Sequence, residues 1–287
     1  MSKYTLGSRQ IANGEYFSSL KPIRSTFRND GHWGNNPLFY WNPALPIPLN
    51  PELPTLLAIT GPSGAGKTAM SQHALSGMSI SFLGKERKFE RARTTAIREI
   101  RKGEAPDEYI WLKNDPRVSD LILQLEQALV LITSPDEKQR ITEYYAEQLR
   151  DRITYFEQHA HYGGIYGILE ETLFGLLYNP NVLPYVLLDT NGVKYYRKKL
   201  AKKANLFSIG ILPHDEETLE TIIKGRDGSN SRLQAASEEL DLMHGPEGTH
   251  VLFHNRQPMH VYEKDMEHSA FRFGAMINLI PKLPTIR

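Results

Sequence analysis

Residues 56–75 read LLAITGPSGAGKTAMSQHAL: a short apolar run, a glycine-rich turn and a segment of helix-forming composition. LLAIT (56–60) is apolar almost throughout, as suits a parallel strand buried on both faces. GPSGAGKT (61–68) follows the pattern Gly-x-x-x-x-Gly-Lys-Thr. Gly61, Gly64 and Gly66 let the backbone turn tightly, so that successive N–H groups, those of Ser63 and Ala65 among them, point at phosphate oxygens. Lys67 is expected to reach the β- and γ-phosphates of ATP, and the Thr68 hydroxyl to hold the Mg²⁺ that bridges them. Strand, loop and helix in that order are the context this motif requires.

Further apolar runs, YVLLD (185–189), LFSIGIL (206–212) and HVLFH (250–254), alternate with helical segments. They predict an α/β fold with a parallel sheet covered by helices on both faces. SDLILQLEQALVLI (119–132) and PDEKQRITEYYAEQLRDRITYF (135–156) carry apolar residues at helical spacing and meet at Ser134-Pro135, which predicts a helical hairpin. A last helix is expected in EKDMEHSAFRFGAMINLI, before Pro281. Residues 1–54, rich in Gly, Asn, Pro and aromatics and closing on NPALPIPLNPELP, predict an extended strap.

A chain of 287 residues with 40% hydrophobic residues accommodates one large domain with additions. Cysteine is absent, which removes disulfides and thiolate chemistry and suits a reducing, cytoplasmic setting. No apolar run approaches the roughly 20 residues needed to span a bilayer, so no membrane partner is expected. The 34 basic side chains nearly balance 33 acidic ones, so any nucleic-acid contact has to be local.

Downstream of the loop lie RARTTAIREIRKGEAPDEYIWL (91–112), FEQHAHYGGIYG (156–167) and YVLLDTNGV (185–193). Taken in order with GPSGAGKT, these segments resemble guanylate kinase over about residues 56–254. The resemblance implies a P-loop kinase core (55–79 and 170–287) and an inserted acceptor-binding subdomain (80–169) that includes the hairpin (113–156). It also implies an arginine-bearing lid at about 224–234. It further implies an ATP- and Mg²⁺-dependent phosphotransferase whose partner is a nucleoside monophosphate. Arg101, Tyr109 and Tyr166 match residues that hold the acceptor phosphate, with Arg98 or Arg93 as the other arginine. Guanidinium forks and phenolic hydroxyls suit a monophosphate dianion. Asp189, at a strand end, matches an aspartate that orders Mg²⁺ or contacts the lid, the alternative being a helix cap. Arg226 and Arg232 are the lid arginines expected to meet transferring charge.

The departures fall on base recognition. Gln158 stands where the family has glutamate, unless a one-residue shift puts Glu157 there, Asn191 replaces an aspartate, and Ile168 replaces a hydroxyl. Gln and Asn each offer a donor and an acceptor, not an acceptor-only surface, so strict GMP selection is not expected. Two other readings share the donor loop. One is a kinase of a hydroxyl on a modified base in nucleic acid, with Asp189 as base. The other is a non-catalytic module that binds a peptide in the acceptor groove. In the strap, RSTFRNDGHWGNNPLFYWNP (24–43) mixes arginines with aromatics, and the balanced charge favours an arm pinned to the domain over a single-strand binder. The pair His159 and His161 lacks the further ligands a zinc site needs. The sequence carries no signature of a particular oligomeric state.

Overall fold

The computed structural model describes residues 21–22, 39–42, 45, 50–98, 100, 106, 108–161, 164–213, 216–227, 230–244, 248–255 and 263–277. In chain order the elements begin with β1 (Lys21–Pro22), β2 (Phe39–Trp41), β3 (Thr55–Thr60), α1 (Lys67–Leu75), β4 (Ser79–Phe82) and β5 (Lys85–Arg91). Next come β6 (Thr95–Ile97), β7 (Ile110–Trp111), α2 (Ser119–Leu131), α3 (Pro135–Arg152), β8 (Tyr155–His161), β9 (Gly164–Leu169) and α4 (Glu170–Leu177). The last group is β10 (Val182–Leu187), α5 (Thr190–Lys199), β11 (Asn205–Leu212), α6 (Glu216–Asp227), α7 (Asn230–His244), β12 (Val251–His254) and α8 (Glu263–Ile277). The chain divides into two units, Met1–Glu90 with Pro180–Arg287, and Arg91–Asn179. The fold is mixed α/β.

The larger unit is built on an eight-stranded sheet in the order β1-β2-β12-β11-β3-β10-β5-β4. β3 has a parallel partner on each side: β11, in register from Asn205↔Thr55 to Gly210↔Thr60, and β10, from Tyr185↔Leu57 to Leu187↔Ile59. Every residue of β3 and β11 is buried, which is why both read as nearly unbroken apolar runs. Neighbouring residues of β12 serve opposite faces. Val251 and Phe253 join Met70, Leu75 and Phe273 from α1 and α8, while Leu252 joins Leu219, Leu233 and Met243 from α6 and α7. Helices therefore cover both faces, as expected. Of the strap, β2 pairs antiparallel with β12 and buries Tyr40 among the α6 and α7 residues; Arg24, Arg28 and Trp33 lie outside the described residues.

The smaller unit holds a four-stranded sheet, β7-β6-β9-β8. α2 and α3 bury Leu121, Ile122, Leu125, Ala146 and Leu149 with Ile97 and Ile165 of that sheet, so the hairpin shares one core with the strands. Ser134 is the N-cap residue of α3, Pro135 opens it, Asp136 and Glu137 fill its first turn, and Arg150 and Arg152 its last. Each suits the helix dipole and the vacant N–H positions at the start. Two boundaries differ from the sequence expectation. The helix stops at Arg152 because Tyr155 and Phe156 enter β8, where pairing with β9 overrides helical spacing. β4 and β5 overlap the segment assigned to the acceptor subdomain, yet they form a hairpin at one end of the larger sheet.

Candidate functional site

The loop after β3 is shaped by close backbone approach. A Cβ on Gly61 would lie 2.4 Å from the Ile211 carbonyl oxygen of β11, and its φ of 145° falls where side chains are disfavoured. Gly64 sits against Leu219 and Ile222 of α6, whose side-chain carbons would be 3.2 and 3.0 Å from an added Cβ. Gly66 is the N-cap of α1 in the left-handed conformation, with no side-chain hydrogen bond to the helix start and no acid in its first turn. Such a helix end is suited to an anion. The Ala65 amide donates to the Pro62 carbonyl at 3.0 Å, closing the turn that contains Ser63. Lys67 Nζ donates to the carbonyls of Gly61 and Pro62, the latter at 3.2 Å, and Thr68 occupies the second position of α1.

At the carboxyl ends of β3 and β10 a polar cluster adjoins this loop. Asp189 caps α5, its Oδ1 accepting from the Gly192 amide at 2.6 Å. Thr60 Oγ1 lies 3.5 Å from Thr190 Oγ1 and donates to Glu239 Oε1 of α7 at 3.3 Å. Burial pushes the Glu239 carboxyl up to about 7; the Asp189 charge adds to the rise, while Lys67, the Thr60 hydroxyl and the Thr190 amide oppose it. Glu239 was not anticipated from the sequence. Its signal is positional: it stands three residues after Ala236 and four before Met243, both buried on the α6/α7 side of the sheet, so an acid occupies the edge of an apolar stripe. Because the cap depends on a carboxylate or amide oxygen, Asp189→Ala is expected to cost about 1 kcal/mol of stability in urea unfolding, and Asp189→Asn only a few tenths.

In the smaller unit, Arg98, Tyr109 and Tyr166 come together, and Trp111 joins them. Arg98 Nε donates to the Tyr166 hydroxyl at 2.6 Å. Its guanidinium carbon is 5.2, 5.4 and 5.7 Å from the ring centroids of Tyr109, Trp111 and Tyr166, within cation–π range. Arg93 is exposed, so of the two candidates it is Arg98 that meets the tyrosines. Thr95 Oγ1 ties β6 to β9 through the Gly167 carbonyl at 2.8 Å, fixing the strand that carries Tyr166. Trp111 was passed over in the sequence, although its two-residue spacing from Tyr109 places both on one side of an extended segment.

The other expected site residues belong to different units or lie outside the described residues. Asn191 is exposed in the first turn of α5, in the larger unit, whereas Ile168 is buried in β9 of the smaller one. Arg101 lies outside the described residues, as do the side chains of Gln158, Arg226 and Arg232. The backbone of Gln158 pairs with Gly167 between β8 and β9. The lid expected near 224–234 is helical on either side of residues 228–229, with α6 reaching Asp227 and α7 starting at Asn230. Among the described residues, no group of three or more His, Cys, Asp or Glu is placed to hold a metal, and no helix is long and apolar enough to cross a membrane.

No family model and no curated protein matches the chain. Among solved structures it is similar to the guanylate kinase from Anaplasma phagocytophilum, at 14% identity, covering 82% of this chain and 88% of that one, with a TM-score of 0.43. At that distance the residues, not the likeness, carry the functional argument.

Proposed function

We propose that the protein is an ATP- and Mg²⁺-dependent phosphotransferase that moves the γ-phosphoryl group to a nucleoside or deoxynucleoside monophosphate, without strict preference for GMP. The observation that carries this reading is the glycine cradle closed by Lys67 and Thr68 at an α-helix N-terminus with no side-chain cap, beside the strand-end acid Asp189. A hydroxyl and a carboxylate are the hard oxygen donors Mg²⁺ accepts. Thr68 and Asp189 are the residues that would hold it. The ion supplies neutralisation of phosphate charge.

The chain's own groups do the rest. Amides of the loop hold the donor phosphates, and Lys67 exchanges its carbonyl partners for phosphate oxygens. Arg98, oriented by the Tyr166 hydroxyl and flanked by Tyr109 and Trp111, takes the acceptor's phosphate dianion together with Arg101. Arg226 and Arg232 meet charge developing on the transferred group. A phosphate acceptor is already ionised, so alignment and charge stabilisation suffice. Gln158 and Asn191 read the base as mixed donor–acceptor groups.

One observation favours a second reading, in which the acceptor is a hydroxyl on a modified base in nucleic acid. A hydroxyl needs a proton acceptor, and a carboxyl near 7 beside the loop has the affinity for that step. The deciding experiment is ATP-to-ADP turnover with Mg²⁺ across all ribo- and deoxynucleoside monophosphates and DNA or RNA polymers, with Lys67→Ala as control. Turnover on a monophosphate is expected; transfer confined to polymer would replace the first reading with the second, and absence of ATP binding would leave the non-catalytic module.

A further inference from the structure

We propose that Lys198, Lys199, Lys202 and Lys203 form a docking surface for the phosphate backbone of duplex DNA, independent of the phosphotransfer reading. From 190 to 214 the chain has no acid and six basic residues, Lys194, Arg197 and these four lysines, which leaves the remainder of the chain at −5. Within α5 and the turn after it, no acid offsets the positive charge. Arg197 is committed inward, donating to the Gly248 carbonyl at 2.7 Å and to Ser208 Oγ at 3.2 Å. The four lysines are exposed, and among the described residues none pairs with a carboxylate. Glu52, in the turn that Asn205 ties to the sheet, is exposed and likewise makes no ion pair there.

Local structure does not account for the cluster. Lys198 and Lys199 complement the C-terminal dipole of α5, an effect that fades within the last turn and so leaves Lys202 and Lys203 unexplained. Lys202 has a φ of 69°, where glycine or asparagine would sit with less strain. Duplex is favoured over single strand because, among the described residues, no open aromatic platform accompanies the lysines. Tyr196 is fully buried, and Tyr195 lies beneath the Lys199 ammonium at 5.7 Å. Charge alone then selects the polymer with the densest phosphates. The surface is at the far end of α5 from Asp189, about 15 Å along a ten-residue helix, so duplex docked there tethers the protein and leaves the phosphate loop clear.

The test is fluorescence anisotropy of a labelled 25-base-pair duplex with the full chain, beside a variant in which all four lysines are glutamine. Wild type is expected to bind in the micromolar range at 50 mM salt and to lose about 10²-fold in affinity by 200 mM, the slope of roughly four phosphate contacts. The variant is expected to lose at least about tenfold at 50 mM with an unchanged melting temperature. No binding by wild type at 50 mM, equal binding by the folded variant, or tighter binding of a single strand of the same length would each overturn the proposal. So would binding to phosphatidylserine vesicles without binding to duplex, which would assign the surface to an anionic membrane.

Discussion

Glu239→Gln is expected to raise the unfolding free energy at pH 8 by on the order of 3 kcal/mol and to change it little below pH 4.5. The carboxyl sits near 7 in the fold and near 4.5 in the open chain, so between those values the folded state binds more protons. Stability therefore falls as pH rises through this window and levels off above it, because the ionised form must be held where burial opposes it. Glutamine keeps the shape and an acceptor for the Thr60 hydroxyl but does not titrate. The check is urea unfolding of both proteins at pH 4.5, 6 and 8. A stability difference that grows through this range supports a carboxyl whose surroundings disfavour its charge; a difference flat with pH would show that Glu239 ionises as an ordinary surface acid.

Lys67→Ala is expected to slow phosphoryl transfer by roughly 10²- to 10³-fold, ~3–4 kcal/mol of transition-state stabilisation. It should also push the Glu239 carboxyl higher, since Lys67 is the charge that most opposes its rise. The single variant is then less stable than wild type at pH 8. Adding Glu239→Gln should restore that stability without restoring turnover. Steady-state kinetics and melting curves on the two single variants and the double one separate the effects. Recovery of turnover in the double variant would mean that Lys67 serves to neutralise Glu239 and not to hold phosphate. The same coupling bears on ATP: phosphate drawing Lys67 away adds negative charge beside Glu239, so binding near pH 7 should take up protons.

Local chemistry was the legible part of this molecule. GPSGAGKT declares its own backbone, because glycine is required where β3 meets the Ile211 carbonyl, and β3 and β11 declare their burial by lacking polar alternation. Ser134-Pro135 gave the start of α3 for the same local reason. Asp189 was legible as a strand-end acid, and the structure shows it capping α5. Long-range meetings were hidden. Thr60 and Glu239 are 179 positions apart, and nothing in LQAASEEL says which surface the α7 stripe faces. Trp111 became meaningful only when pairing between β6 and β7 put it beside Tyr109 and Arg98. The end of α3 was misjudged because Tyr155 and Phe156 suit both helical spacing and a strand, and β9 decided between them.

The placement of β3 also governs how the protein is made. Its two sheet neighbours, β10 and β11, follow the unit Arg91–Asn179 in sequence, and Val182 stands 122 positions after Thr60. At synthesis rates of about 5–20 residues per second, β3 leaves the ribosome roughly 6–24 s before its first parallel partner exists. Throughout that interval an entirely buried strand of the finished protein is an unpaired apolar edge, while the smaller unit, continuous in sequence, can complete itself. Nascent chains halted before residue 180 should therefore be held by chaperones through β3, and release should follow translation of β10.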